Sequence, residues 1–294
     1  MATQEEMALA MAKEAAGSAG KESVNKLASV IGGLFPFFGA RREAVSTYVE
    51  DIQKSDLPPE AKMMAIANVK KTYKQLKNQM AIAEIAQNAA RDGTDFSAQS
   101  DVDDEWLERF MDSAKFVSDE EVQLLWGNIL AREFEEPNST PPSIIRVLSE
   151  ITPSYASAFQ VLCSLKCGIS LEDGYSEDVL ILPKQFEYLE SYGLSFQVPT
   201  ELEMLGLIQI EGSGGFVKRF EKSRCEKVYC TYGGDSAIIT DYPDQQFPIG
   251  IVYLTSVGNL ISTFVTTEHI DGHFEAVCDY FRQEHCKLYE QKKD

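Results

Sequence analysis

Apolar residues recur at helical spacing through the first half of the chain and lose that spacing after about Gly168. Residues 1–19 are Ala-rich and read as helix, which Gly17 and Gly20 loosen. Residues 24–40 form the most apolar stretch, with Leu27, Val30, Ile31, Leu34, Phe35, Phe37 and Phe38. Gly32, Gly33 and Pro36 interrupt it, and a proline costs a helix interior roughly 3 kcal/mol. Lys26 stands inside this stretch, and Arg41 and Arg42 follow it. Pro58 and Pro59 suit a helix start, where the missing proline donor has no partner to lose. The helix they open runs to about Arg91, with Val69, Tyr73, Leu76 and Met80 at helical spacing and Gly93 just past its end. Lys62, Lys70, Lys71, Lys74 and Lys77 decorate it, as a solvated face or as a partner for acidic surface.

Asp101, Asp103 and Asp104 offer caps for a second helix, with Trp106, Phe110, Ala114 and Val117 as its apolar stripe. A capping box is expected at the next start. The Ser118 hydroxyl would accept from the Glu121 amide while Glu121 reaches back to the Ser118 amide. The helix it opens carries Val122, Leu125, Trp126, Ile129 and Leu130 at i, i+3, i+4, i+7 and i+8, a core pattern. Pro137, Pro141 and Pro142 end it. A short helix with Ile144, Ile145, Leu148 and Ile151 follows. Thr152 and Pro153 then cap and start another, with Tyr155, Phe159 and Leu162 inward. Both tryptophans read as core anchors.

The run Trp106–Phe110, Val117-Ser118-Asp119-Glu120-Glu121, Gln123, Leu125-Trp126, Ile129-Leu130-Ala131, Glu133 and Pro137 resembles the signature of a bacterial domain-of-unknown-function family. Residues 33–44 and 78–85 also resemble the N-terminal part of that family. The likeness covers roughly residues 25–165, with a looser echo to 262. The Trp-containing helix is similar as well to the abortive-infection alpha (Abi-alpha) proteins, which are associated with phage defence. Trp106, Phe110, Ser118, Glu121, Gln123 and Trp126 would then be the structural core of the motif.

Beyond residue 168 short strands alternate with helices and glycine turns. Residues 178–182, 227–231 and 237–240 read as strands, and residues 184–192 and 201–207 as helices. Gly206 stops the second helix before a strand. Residues 250–258 read as a strand entering a helix. This part resembles a winged-helix module. The expected fold is mainly α with a C-terminal α+β part, in three modules: residues 1–95, 96–167 and 168–294.

Charge separates the function classes. The chain of 294 residues has 27 Lys and Arg against 46 Asp and Glu, a net charge of −19. Residues 1–92 hold 12 bases and 11 acids, whereas residues 93–294 hold 15 and 35. Such an acidic chain repels phosphate backbones. A recognition helix at residues 200–205 would contain Glu201 and Glu203 and no base. The wing bases Lys218, Arg219, Lys222, Arg224 and Lys227 are mixed with Glu221 and Glu226. Nucleic acid is therefore a poor partner.

Six cysteines and no secretory signal point to a reducing compartment, the cytoplasm. No run of about 18 apolar residues exists to span a bilayer. His269 and His273 are four apart and would share a helix face that could chelate zinc, but Asp271 and Gly272 between them weaken that helix. No metal or cofactor site is expected, and no local signature of catalysis occurs. On the resemblance, the chain is expected to be a non-enzymatic phage-defence interaction or effector protein. Leu34, Phe35, Phe37, Phe38, Arg41 and Arg42 would touch identical subunits, another protein or the inner face of a membrane. The alternative expectation is a transcriptional or DNA-associated regulator using the winged-helix-like module.

Overall fold

The computed structural model describes residue 26 and residues 42–97, 99–183, 186–195, 197–212, 214–220, 227–242 and 246–291. The helix expected at residues 1–19 and the contact residues Leu34, Phe35, Phe37, Phe38 and Arg41 lie outside them. Arg42 opens the first described helix, α1 (Arg42–Lys54). Proline sets the next start. Pro58 is the cap and Pro59 the first residue of α2 (Pro59–Ala89), which runs for 31 residues. The Asp103 carboxylate accepts from the Trp106 amide at 2.7 Å and starts α3 (Asp104–Ala114). Then come α4 (Glu120–Glu135) and α5 (Ile144–Glu150).

Packing of α2, α3 and α4 makes the first core: Ile82, Ala83 and Ala86, Leu107, Phe110 and Met111, Trp126, Ile129 and Leu130 are all buried. The backbone of α4 approaches α2 at Gly127, where an added Cβ would lie 2.6 Å from Ile85 Cβ. The first half of α2 is different. Among the described residues between positions 45 and 77 none is buried, and Met63 and Met64 are 67% and 69% exposed.

The second part begins at α6 (Pro153–Ser164), capped by Thr152 Oγ1 and opened by Pro153 as its spacing implies. In order follow β1 (Lys166–Leu171), β2 (Ser176–Leu180), α7 (Phe186–Glu190), α8 (Gln197–Leu205), β3 (Ile208–Ile210), β4 (Phe216–Arg219), β5 (Val228–Tyr232) and β6 (Asp235–Asp241). Then come β7 (Gln246–Gly250), β8 (Val252–Leu254), α9 (Ser256–Ser262), α10 (His273–Gln283) and β9 (Lys287–Gln291). A five-stranded sheet has the order β2-β1-β5-β6-β9, every neighbouring pair antiparallel. The β5–β6 hairpin turns on Gly233 and Gly234, whose φ values of 60° and 106° are those a two-residue hairpin loop requires. Alternate residues of β1 (Cys167, Ile169 and Leu171) point into a core shared with Val228, Cys230, Phe247, Phe274, Val277 and Phe281. Strands β3 and β8 pair separately, as do β4 and β7.

The chain divides into two compact units, Met1–Ser149 and Glu150–Asp294. In the first unit α3 and α4 complete the core that α2 begins, and in the second unit α6 packs with α8. The expected α+β character of the C-terminal part is present. Helix α1, strands β1, β4, β7 and β9 and helix α10 have no counterpart among the expected elements.

Candidate functional site

The signature residues are occupied by structure. Trp106 stacks on Phe110 at 4.8 Å between ring centroids, and Phe110 meets Trp126 at 4.7 Å. Gln123 is buried and donates to the Val117 carbonyl at 2.8 Å, tying α4 to the turn before it. Glu133 is buried, and among the described residues it meets no cation. Its carboxylate accepts from the Asn138 amide at 2.6 Å, the Thr140 amide at 3.0 Å and the Thr140 hydroxyl, and so folds the proline loop back onto α4.

The expected capping box is corrected. Asp119 caps α4, accepting from the amides of Glu121 and Val122 at 3.1 and 3.0 Å. The Asp119 carboxylate also places a negative charge at the positive helix end. Ser118 Oγ accepts instead from Asn78 Nδ2 at 3.2 Å, while the same amide donates to the Lys115 carbonyl at 2.9 Å. Asn78 thus pins α2 to the α3–α4 turn. A polar residue in line with Ile82 and Ala86 on one helix face was the signal for it.

Two charged surfaces flank this core. Lys70, Lys71, Lys74 and Lys77 are exposed on α2. Among the described residues none of the four meets a hydrogen-bond or ion-pair partner. At 3.6 residues per turn Lys70, Lys74 and Lys77 form one ridge with Met63. Between α3 and α5 runs an open groove of about 980 Å³. Glu105, Glu108 and Asp112 line it from α3, Ile145 and Arg146 from α5, and Gln79 from α2. Gln79 Nε2 donates to the Met111 carbonyl at 2.7 Å, which fixes the floor of the groove to α3.

In the second unit, His269 and His273 do not share a helix. Gly272, at φ +79°, caps α10 between them, and His273 is its first residue. His273 is fully buried. Its Nε2 lies 2.9 Å from the Leu165 carbonyl, which can only accept, so Nε2 carries the proton and Nδ1 accepts from the Tyr188 hydroxyl at 2.6 Å. Tyr192 donates to Tyr188 at 3.0 Å. Burial holds the His273 pKa down to about 4, so the ring is neutral. His269 lies against the Tyr232 ring at 5.1 Å and pairs with Asp271 at 3.5 Å. Both nitrogens of His273 are committed, and among the described residues no group of three His, Cys, Asp or Glu side chains is placed to hold a metal ion.

Cys163, Cys167, Cys230 and Cys278 are buried free thiols, and burial pushes Cys163 and Cys278 up to about 12. Protonated thiols are poor nucleophiles. No helix among the described residues is long and apolar enough to cross a membrane.

These features define a helical unit with an aromatic signature core, followed by an α+β unit built on an antiparallel sheet. The chain belongs to the family described as "Protein of unknown function (DUF2806)", whose model matches residues 67–277. That match spans the signature helices and most of the second unit. No curated protein matches the chain, and no solved structure does.

Proposed function

We propose that the protein is a non-enzymatic interaction protein of phage defence, of the abortive-infection type, working in the cytoplasm with its first unit as the contact surface. The observation that carries the interaction reading is the outer face of α2. It leaves Met63, Met64 and four lysines exposed, with no residue of the α1–α2 hairpin buried between positions 45 and 77. Helices of this kind gain most of their stability from a packed face, so a hairpin left half-covered is suited to a partner. The phage-defence half of the reading rests on the likeness of the Trp126 helix to the Abi-alpha proteins.

In the second unit we read α7, α8, β3, β8 and α9 as a winged-helix-like module used for protein contact. Supporting that use, α8 carries exposed Glu201 and Glu203 and no base. Of the wing cations, Lys218 is paired with Glu177 and Lys227 with Glu172 at 3.0 Å, which lowers the charge left for a phosphate backbone.

The test is a phage challenge of bacteria expressing the chain, against an empty control, at low and high phage dose. Protection at low dose with collapse of the culture at high dose is the expected result. No change in plating efficiency across a broad phage panel would overturn the defence reading. Salt-dependent retention on DNA would move the weight to a DNA-associated regulator.

A further inference from the structure

The lysine ridge of α2 and the acidic wall of the groove match in register. Lys70, Lys74 and Lys77 stand at i, i+4 and i+7, and Glu105, Glu108 and Asp112 at i, i+3 and i+7; all six are exposed. Laid antiparallel, Lys77 meets Glu105, Lys74 meets Glu108 and Lys70 meets Asp112, and one offset serves all three pairs. Each triplet spans seven residues, about 10 Å of helix, so neither helix must bend. The surrounding charge follows the same division. Residues 59–77 hold five lysines and one acid, and residues 101–121 hold nine acids and two bases.

The ridge cannot reach the groove of its own chain. Gln79 is fixed against Met111 of α3, and at 3.6 residues per turn Lys70, Lys74 and Lys77 project from the far side of the same helix. Lys70, Lys74, Lys77 and Glu108 meet no ion-pair partner among the described residues. Among the described residues Glu105 and Asp112 pair with their near neighbours Arg109 and Lys115 at the surface.

We propose that the α2 ridge docks antiparallel into the groove between α3 and α5 of a second copy of this chain. Continued beyond Lys70, the register carries Met63 past the end of α3 into the turn that holds Phe116, and these two side chains are exposed by 67% and 68%. Ridge and groove are different patches, so the contact is head-to-tail, and each added copy leaves one ridge and one groove open for a ring or a chain of copies. The inference rests on the interaction reading above and names its partner.

The test uses sedimentation velocity on the full chain and two reversed variants. One is Lys70→Glu, Lys74→Glu, Lys77→Glu; the other is Glu105→Lys, Glu108→Lys, Asp112→Lys. Circular dichroism checks their folding, which exposed positions should leave intact. Wild type is expected to associate at about 0.1 M salt and to weaken at about 1 M, as the screening length falls from about 10 Å to about 3 Å. Each reversed variant alone should associate roughly tenfold to a hundredfold more weakly. Mixing the two should regain association, because each native surface finds its complement and the two reversed surfaces find each other.

A monomeric wild type, a reversed variant that associates normally, or a mixture that stays monomeric would overturn the proposal. So would ridge-dependent binding of monomers to phosphatidylglycerol vesicles. The phage challenge separates the two readings: loss of assembly with full protection leaves the defence role standing, and assembly without protection leaves the interface standing.

Discussion

The Tyr188 hydroxyl and His273 Nδ1 meet at 2.6 Å across 85 residues of sequence, joining α7 to the first turn of α10. The other ring nitrogen is held by Leu165 at the end of α6. The imidazole therefore bridges three elements while fully buried and neutral. Its pKa in the folded unit, about 4, lies below the ordinary value of about 6.5. Above pH 6.5 the ring is neutral in both folded and unfolded chains and stability is unaffected. As pH falls from about 6.5 towards 4, only the unfolded chain takes up the proton. Stability of this unit should fall by about 3 kcal/mol across that window. The measurement is urea unfolding followed by far-ultraviolet circular dichroism between pH 7 and pH 4. His273→Phe should be less stable at pH 7, with the Tyr188 hydroxyl proton left without its acceptor, yet show a flatter acid slope. An unchanged slope would remove His273 as its source.

Asp119 and Glu121 make opposite predictions from the two capping models. Asp119 accepts two of the free amides at the start of α4. Asp119→Ala should therefore cost about 1 kcal/mol, whereas Glu121→Ala should cost a few tenths through the helix dipole alone. Both tryptophans belong to the first unit, so their fluorescence during urea unfolding reads this unit. Equal costs at the two positions would restore the reciprocal box centred on Ser118.

Much of the helical unit was legible because its information is local. Pro58, Pro59, Asp103, Thr152 and Pro153 act within one turn of where they stand, and the i, i+3, i+4 stripes of α3 and α4 mark one buried face each. At the start of α4 the residue types do not decide, since Ser118 and Asp119 are both good caps. The choice between them depends on Asn78, 40 residues earlier in the chain. Strands β4, β7 and β9 are short and take their partners from far along the sequence; β9 pairs with β6 across some fifty residues. Hydrogen bonds of that range leave no periodic trace. The ridge and groove show the same limit: the lysines and acids are plain in the sequence, but their shared offset matters only once Gln79 fixes which side of α2 faces away from α3.

Glu133 is a buried acid that meets no base among the described residues, and three donors from one loop satisfy it. Removing it would leave the Asn138 and Thr140 amides without acceptors in a part-buried site. Glu133→Ala should cost about 3 kcal/mol by tryptophan fluorescence, the usual range for orphaned buried partners. Asn138 sits at φ 65°, a region open to Asn and Gly and strained for branched residues. Asn138→Gly should be nearly neutral and Asn138→Val clearly destabilising. Equal behaviour of those two would mean that the loop is not held in this conformation.

Gly127 makes the final test one of packing against propensity. In an isolated helix, Gly→Ala gains about 1 kcal/mol. Here the new Cβ would lie 2.6 Å from Ile85 Cβ, and a β-branched side chain in a helix has little rotamer freedom with which to move aside. Overpacking of this kind typically costs 1–3 kcal/mol, so Gly127→Ala should lower the stability of the first unit. Ile85→Ala alone should lower it too, by loss of apolar contact. The double substitution should be less damaging than the two single costs added, because the second change makes room for the first. Strict additivity would place the clash elsewhere. A gain in stability from Gly127→Ala would mean that α2 and α4 do not approach each other as closely as the structure has them.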